Sequence, residues 1–130
     1  MTSRLAYDAH QFEAAENLEA VRRLWLSRIG DLGFVHGALG AHVDPRAPPP
    51  TAYLIHNYPM SWIECCAARG YFSIDPIWRQ AERGLQTFAW FDPDFRASLT
   101  WRQFRYMREA RAHGLQFGFT RALSSCNSLA

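Results

Sequence analysis

Glycine and proline punctuate this chain so often that no element can run long. Gly33, Gly37 and Gly40, the four prolines between Asp44 and Pro50, then Pro59, Gly70, Pro76, Gly84, Pro93 and Gly114 divide the sequence into short stretches. Proline lacks the N–H that a helix interior needs, and glycine accepts the left-handed turn that ends a helix, so each is a boundary with a physical cause. The apolar residues between the boundaries then decide what each stretch becomes.

Leu18, Val21, Trp25, Ile29 and Leu32 follow the 3.6-residue period of an amphipathic helix, which Gly33 closes. Leu5, Phe12 and the alanines before it suit a short first helix. Phe34 to Val43 has strand character, with Gly37 and Gly40 marking a bulge or a close approach to the backbone. Asp44 to Pro50 is a turn, and Ala52 to His56 returns as the antiparallel partner, so that His36 and His56 are expected to face each other. Pro59 opens a helix over Met60 to Arg69 that Gly70 ends, with Trp62, Cys65 and Cys66 on one side. Asp75-Pro76 is an N-cap followed by a first-turn proline, and the helix continues to Gly84. Thr87 to Phe91 is extended and stops at Asp92-Pro93. Thr100 to Gln103 forms a capping box, after which Trp101, Phe104, Met107 and Ala110 recur at helical spacing as far as Gly114. Phe117 to Leu123 reads as a final strand and the rest as a polar tail. Hairpin strands with grouped helices, rather than regular strand-helix alternation, predict an α+β fold in which helices pack on an antiparallel sheet.

At 130 residues with 48% hydrophobic and 20% charged, residues 1–130 are expected to form a single soluble domain, burying roughly two thirds of the surface of the unfolded chain. No run of about 18 apolar residues occurs, and the first twenty residues carry four acids and no apolar core, which argues against a membrane span or secretory signal and points to the cytoplasm. The formal charge of +2 is too balanced to argue for nucleic acid. Every basic residue is arginine. Arg102, Arg105, Arg108 and Arg111 share one side of the last helix, where a solvated face is the plainer reading than phosphate contact. Cys65, Cys66 and Cys126 form no metal-ligand spacing and are expected to be reduced thiols. No phosphate-binding glycine fingerprint or nucleophile elbow is present, so the expectation is no catalytic residue, no metal and no cofactor.

The informative stretch is residues 57 to 90, where Tyr58, Trp62, Tyr71, Phe72, Asp75, Trp78, Phe88 and Trp90 gather within 34 positions. Tyrosine and tryptophan bring large apolar bodies with an O–H or N–H that needs a partner, which suits a pocket for a small amphiphile. Asp75 has a sufficient task as an N-cap, yet one carboxylate oxygen can cap while the other accepts from a ligand.

These residues fall into an ordered pattern. N-Y-P-x-x-W ends at Trp62, Asp75-Pro76 follows thirteen positions on, F-x-W ends at Trp90, and E-A-x-x-x-G-L-x-x-G-x-T runs from Glu109 to Thr120, with L-G-F upstream at residues 32–34. The pattern, over about residues 18 to 123, resembles the autoinducer-binding domain of LuxR-type quorum-sensing transcription regulators. The resemblance implies an antiparallel sheet sandwiched between helices, with an N-acyl homoserine lactone bound noncovalently between the sheet and one helical layer. It implies that the Trp62 indole donates to the lactone carbonyl, that Asp75 accepts from the ligand amide, that the Tyr58 hydroxyl reaches the amide carbonyl and that Trp90 forms a wall near the ring. By the same resemblance Gly118 has a backbone role near the pocket, Ala110 and Leu115 lie toward the lactone end, and Tyr71 joins the aromatic lining. Cys66 stands where relatives commonly carry a pocket tyrosine, which implies extra space and a changed tail preference.

The family pattern continues with further sheet strands, a dimerisation helix and a helix-turn-helix, and this sequence stops at Ala130 before them. The fold is thus expected to be incomplete at its C-terminus, with no DNA-binding domain and no direct DNA contact. Beside the sensor reading stands a second, in which a truncated homologue pairs with a full-length LuxR-type regulator and inhibits it. A homodimer or such a heterodimer is the partner expectation beyond the autoinducer itself.

Overall fold

The computed structural model describes residues 10–41, 53–84 and 86–122. The Asp44 to Pro50 turn, the Leu5 end of the first helix, Val43, Ala52, Leu123 and the tail with Cys126 lie outside the described residues. The chain divides into two compact units: among the described residues, one holds 10–41 and 53–58 and the other 59–84 and 86–122.

In the first unit, residues 10–13 are helical, and α1 follows over Leu18–Asp31. The Asn17 side chain caps α1 by accepting from the Ala20 N–H at 2.9 Å, and Gly33 turns the chain away at φ 93°. Strands β1 (Ala38–Ala41) and β2 (Tyr53–His56) pair antiparallel, with Leu39 opposite Ile55. The expected hairpin is present, but β1 starts later than the apolar run from Phe34. Phe34 and Val35 are exposed. Asn57 extends the hairpin where the ladder ends: its Oδ1 accepts from Gly37 N–H at 2.8 Å and its Nδ2 donates to the Val35 carbonyl at 2.9 Å. A Cβ on Gly37 would collide with Ile29 Cδ1 from α1, so this glycine does admit a close approach. The two histidines do not face each other. His56 lies opposite Ala38, while His36 Nδ1 is 3.2 Å from the Asn57 carbonyl oxygen.

In the second unit α2 spans Met60–Arg69 and ends at Gly70, whose φ of 65° is the left-handed cap expected there. A 3-10 turn over Tyr71–Ser73 leads to α3 (Pro76–Glu82). Asp92-Pro93, expected only as a stop, repeats the Asp75-Pro76 device: Asp92 accepts from Asp94 N–H and starts a short helix, α4 (Pro93–Ala97). Helix α5 spans Trp101–Ala112 behind a complete Thr100/Gln103 capping box. Strands β3 (Phe88–Ala89) and β4 (Phe119–Thr120) pair antiparallel, a shorter ladder than the apolar segments suggest. The face of α5 also differs from the apolar spacing: Tyr106, Met107 and Ala110 are buried while Trp101 is 75% exposed, its ring stacked along Phe104. Helices with small antiparallel ladders make this an α+β fold, as the order of elements predicts.

Candidate functional site

Helix α2 places Trp62 and Cys66 one turn apart on the face it buries, at 3% exposure each. The left-handed turn at Gly70 brings Tyr71 back onto the same face, with its ring centroid 6.2 Å from that of Trp62. From α5 comes Tyr106, edge-on to Trp62 at 5.1 Å and to Tyr71 at 5.2 Å. The His113 ring just past α5 lies 5.6 Å from Trp62, while its Nδ1 is 2.8 Å from Ser61 Oγ. Tyr106 thus meets both Trp62 and Tyr71 edge to face, the arrangement their quadrupoles favour, while Trp62 and Tyr71 are tilted at 43°.

Asp75 faces this cluster from the start of α3. Its Oδ1 accepts from the N–H groups of Ile77 at 2.9 Å and Trp78 at 3.1 Å, and the Tyr106 side chain lies near the carboxylate. Burial pushes the Asp75 pKa up, and the two backbone donors with the nearby Tyr106 hydroxyl pull against that shift without reversing it. Its charge is felt by Cys66, whose thiol is pushed up to about 12 by burial first and by the Asp75 carboxylate second. A thiol held so high stays protonated at neutral pH, so Cys66 packs as a small apolar group. One donor of the cluster stands open, since Trp62 Nε1 has no hydrogen-bond partner among the described residues; the buried Tyr71 hydroxyl lies near the Glu109 carboxylate without closing a hydrogen bond to it. Burial, then the nearby Glu109 carboxylate, raises the Tyr71 pKa.

Glu109 ties α5 to α2. Its carboxylate accepts from Cys65 Sγ at 3.2 Å and pairs with Arg69 Nε at 3.0 Å and Arg105 Nε at 3.5 Å. Burial works against its charge, yet the thiol and the two guanidiniums hold its pKa below the ordinary value.

Trp90 belongs to a second group in the same unit. Its Nε1 donates to Thr120 Oγ1 at 2.8 Å and its backbone N–H to the Gly118 carbonyl at 2.9 Å. A Cβ on Gly118 would stand 2.5 Å from Trp90 Cδ2, so the indole lies flat against bare backbone. Ala110 is buried one turn after Tyr106, and Leu115, also buried, donates its N–H to the Ala110 carbonyl at 2.9 Å.

The structure therefore brings Trp62, Cys66, Tyr71 and Asp75 together, with Ala110 on the facing helix, and seats Trp90 on Gly118. Tyr58 lies in the first unit, where its ring is 5.8 Å from that of His56 and its N–H donates to His56 Nδ1. Sequence reasoning missed Tyr106 because the apolar spacing of α5 pointed to Phe104 beside it. The signal was Tyr106 and Ala110 four apart, a polar-tipped ring on the stripe that α5 buries. Among the described residues no group of His, Cys, Asp and Glu is placed to hold a metal ion, and no helix is long and apolar enough to cross a membrane.

Over 66 residues, 51% of this chain, the sequence is 36% identical to a Sinorhizobium fredii protein named as an HTH-type transcriptional regulator, y4qH. That stretch is 20% of the S. fredii protein, so the chain spans about a fifth of the relative it matches. The family profile described as the autoinducer binding domain matches residues 17–127, a range that takes in Trp62, Asp75, Trp90 and Gly118. By this match across most of its length, the chain belongs to the autoinducer-binding domain family.

Proposed function

We propose that this chain is a sensor for quorum-dependent transcription and that it holds an N-acyl homoserine lactone noncovalently against the face formed by Trp62, Tyr71 and Asp75. The observation that carries this reading is Asp75, a half-buried carboxylate beside the aromatic cluster whose backbone donors both fall on one oxygen. A partly desolvated charge so placed favours a further neutral donor, and a ligand amide N–H is one. The open Trp62 Nε1 is a donor suited to a lactone carbonyl, and the rest of the face is apolar, as an acyl tail requires. Trp90, held flat on Gly118, supplies an aromatic wall. The protonated Cys66 thiol supports binding without covalent attachment.

The test is titration of the chain with butanoyl, octanoyl and dodecanoyl homoserine lactones, read by calorimetry, for the wild type, Trp62→Phe and Asp75→Asn. Each substitution is expected to weaken binding about tenfold or more, since hydrogen bonds involving a charged group contribute roughly 1.5–3 kcal/mol net. Equal affinity in both variants would remove these residues from the site. No heat with any lactone would remove the ligand class.

A further inference from the structure

The whole-chain charge of +2 hides a local imbalance on α5, which carries Arg102, Arg105, Arg108 and Arg111 against Glu109 as its one acid. All of these arginines are exposed. Glu109 is already engaged by Arg69 and Arg105, and Arg102 donates to the Arg69 carbonyl at 3.1 Å. Arg108 and Arg111 make no hydrogen bond or ion pair among the described residues, so two guanidinium forks stand free on one side of the helix. A solvated face accounts for the arginines, but it does not account for Trp101. This indole is 75% exposed at the first turn of α5, on the same stripe as Arg105 and Arg108. One side of it lies along Phe104, with the planes 18° apart and the centroids 6.1 Å apart, and the Arg96 guanidinium from α4 reaches the same Phe104 ring at 5.9 Å. The stack holds the indole flat and leaves its other side to solvent.

We propose that the outer face of α5 is a binding surface for single-stranded nucleic acid, with Trp101 as a stacking platform for a base and Arg105, Arg108 and Arg111 as phosphate contacts. Those arginines recur about every 4.5 Å along the helix axis, a row of cations for a row of phosphates, and each fork can hold two phosphate oxygens at once. An aromatic platform beside a cationic track is the combination that binds a single strand without reading its sequence. A duplex keeps its bases stacked on one another and offers the indole nothing to stack on. An acidic amphipathic peptide needs an apolar groove for its anchors, and Trp101 is the one exposed large hydrophobic residue of α5. The surface lies opposite Tyr106, Met107 and Ala110, which α5 buries, so it is separate from the proposed lactone face and does not depend on that reading.

The test is fluorescence anisotropy of the full chain with labelled oligo-dT and oligo-U of about 15 nucleotides, repeated across salt concentrations, with duplex DNA and polyglutamate as competitors. Binding of either single strand is expected, with log K falling against log salt at a slope near −2, about −0.7 for each of three arginine contacts. In Arg108→Gln/Arg111→Gln the slope is expected to be shallower by about 1.4. Trp101→Leu is expected to weaken binding about tenfold with the slope unchanged, and both variants are expected to keep the wild-type melting temperature and lactone affinity. Wild-type affinity in Trp101→Leu overturns the proposal, since only a generic cationic surface then remains. Polyglutamate that displaces the strand at equal charge concentration overturns it in favour of an acidic protein partner. No binding of either strand at low salt also overturns it, and none of these outcomes touches the lactone reading.

Discussion

Burial raises the Asp75 pKa, so the folded chain binds a proton there more tightly than the unfolded chain does. Stability from this group is then full below the unfolded value of 3.8 and is lost as pH rises through the folded value. At neutral pH the empty protein thus carries a charge that weakens it. Asp75→Asn removes the charge and keeps an oxygen able to cap α3. In the absence of ligand this variant is expected to melt above the wild type at pH 7, with the gap closing on acidification, and to respond to lactone less than the wild type at equal concentration. A lower melting temperature at pH 7 would mean that the carboxylate is stabilised where it stands. Gly118 supplies a second residue-scale prediction. A methyl group there enters the Trp90 indole at 2.5 Å, and Gly118→Ala is expected to cost about 1–3 kcal/mol in urea unfolding with a shifted tryptophan emission.

The helices of the second unit are short, and isolated helices of fewer than about 12 residues are marginal in water, so their ends matter. Helix α3 is held by two N–H bonds to Asp75, α4 by Asp92, and α5 by the reciprocal Thr100 and Gln103 bonds at 3.1 and 3.0 Å. Asp75 caps α3, and on the proposed reading it also accepts from the ligand, which would couple the start of α3 to occupancy of the site. Thr100→Ala removes one side of the capping box and leaves every side chain of the candidate site in place. It is expected to lower stability by about 1 kcal/mol while leaving lactone affinity unchanged, measured by urea unfolding and calorimetry together. A change in affinity would show that fraying of α5 reaches Tyr106.

For the chain as a whole, binding to the folded state alone makes stability depend on ligand concentration. At about 100 times its dissociation constant a lactone adds roughly 2.7 kcal/mol, a shift of several degrees for a chain of this size. Melting curves across the three tail lengths are expected to rise by amounts that rank with their affinities. A tail-independent rise would place the recognition in the lactone and amide alone.

Much of this was legible in the sequence, because short-range chemistry specifies it. Gly70 and the Asp-Pro pairs set helix ends through backbone conformation and local hydrogen bonds, and the capping box is complete within four residues. The family pattern singled out Trp62, Asp75, Trp90 and Gly118 by type and spacing. What tertiary structure alone decided was which side chains meet. The apolar period of α5 pointed to Trp101 and Phe104, yet the helix buries Tyr106, because its ring packs edge-on against Trp62 from α2 and against Tyr71. The same holds for Asn57, whose amide replaces the hairpin ladder beyond His56, and for Gly118, whose missing side chain has meaning only once the Trp90 ring lies on it. Pairings between residues tens of positions apart depend on how elements dock, and neither propensity nor period carries that information.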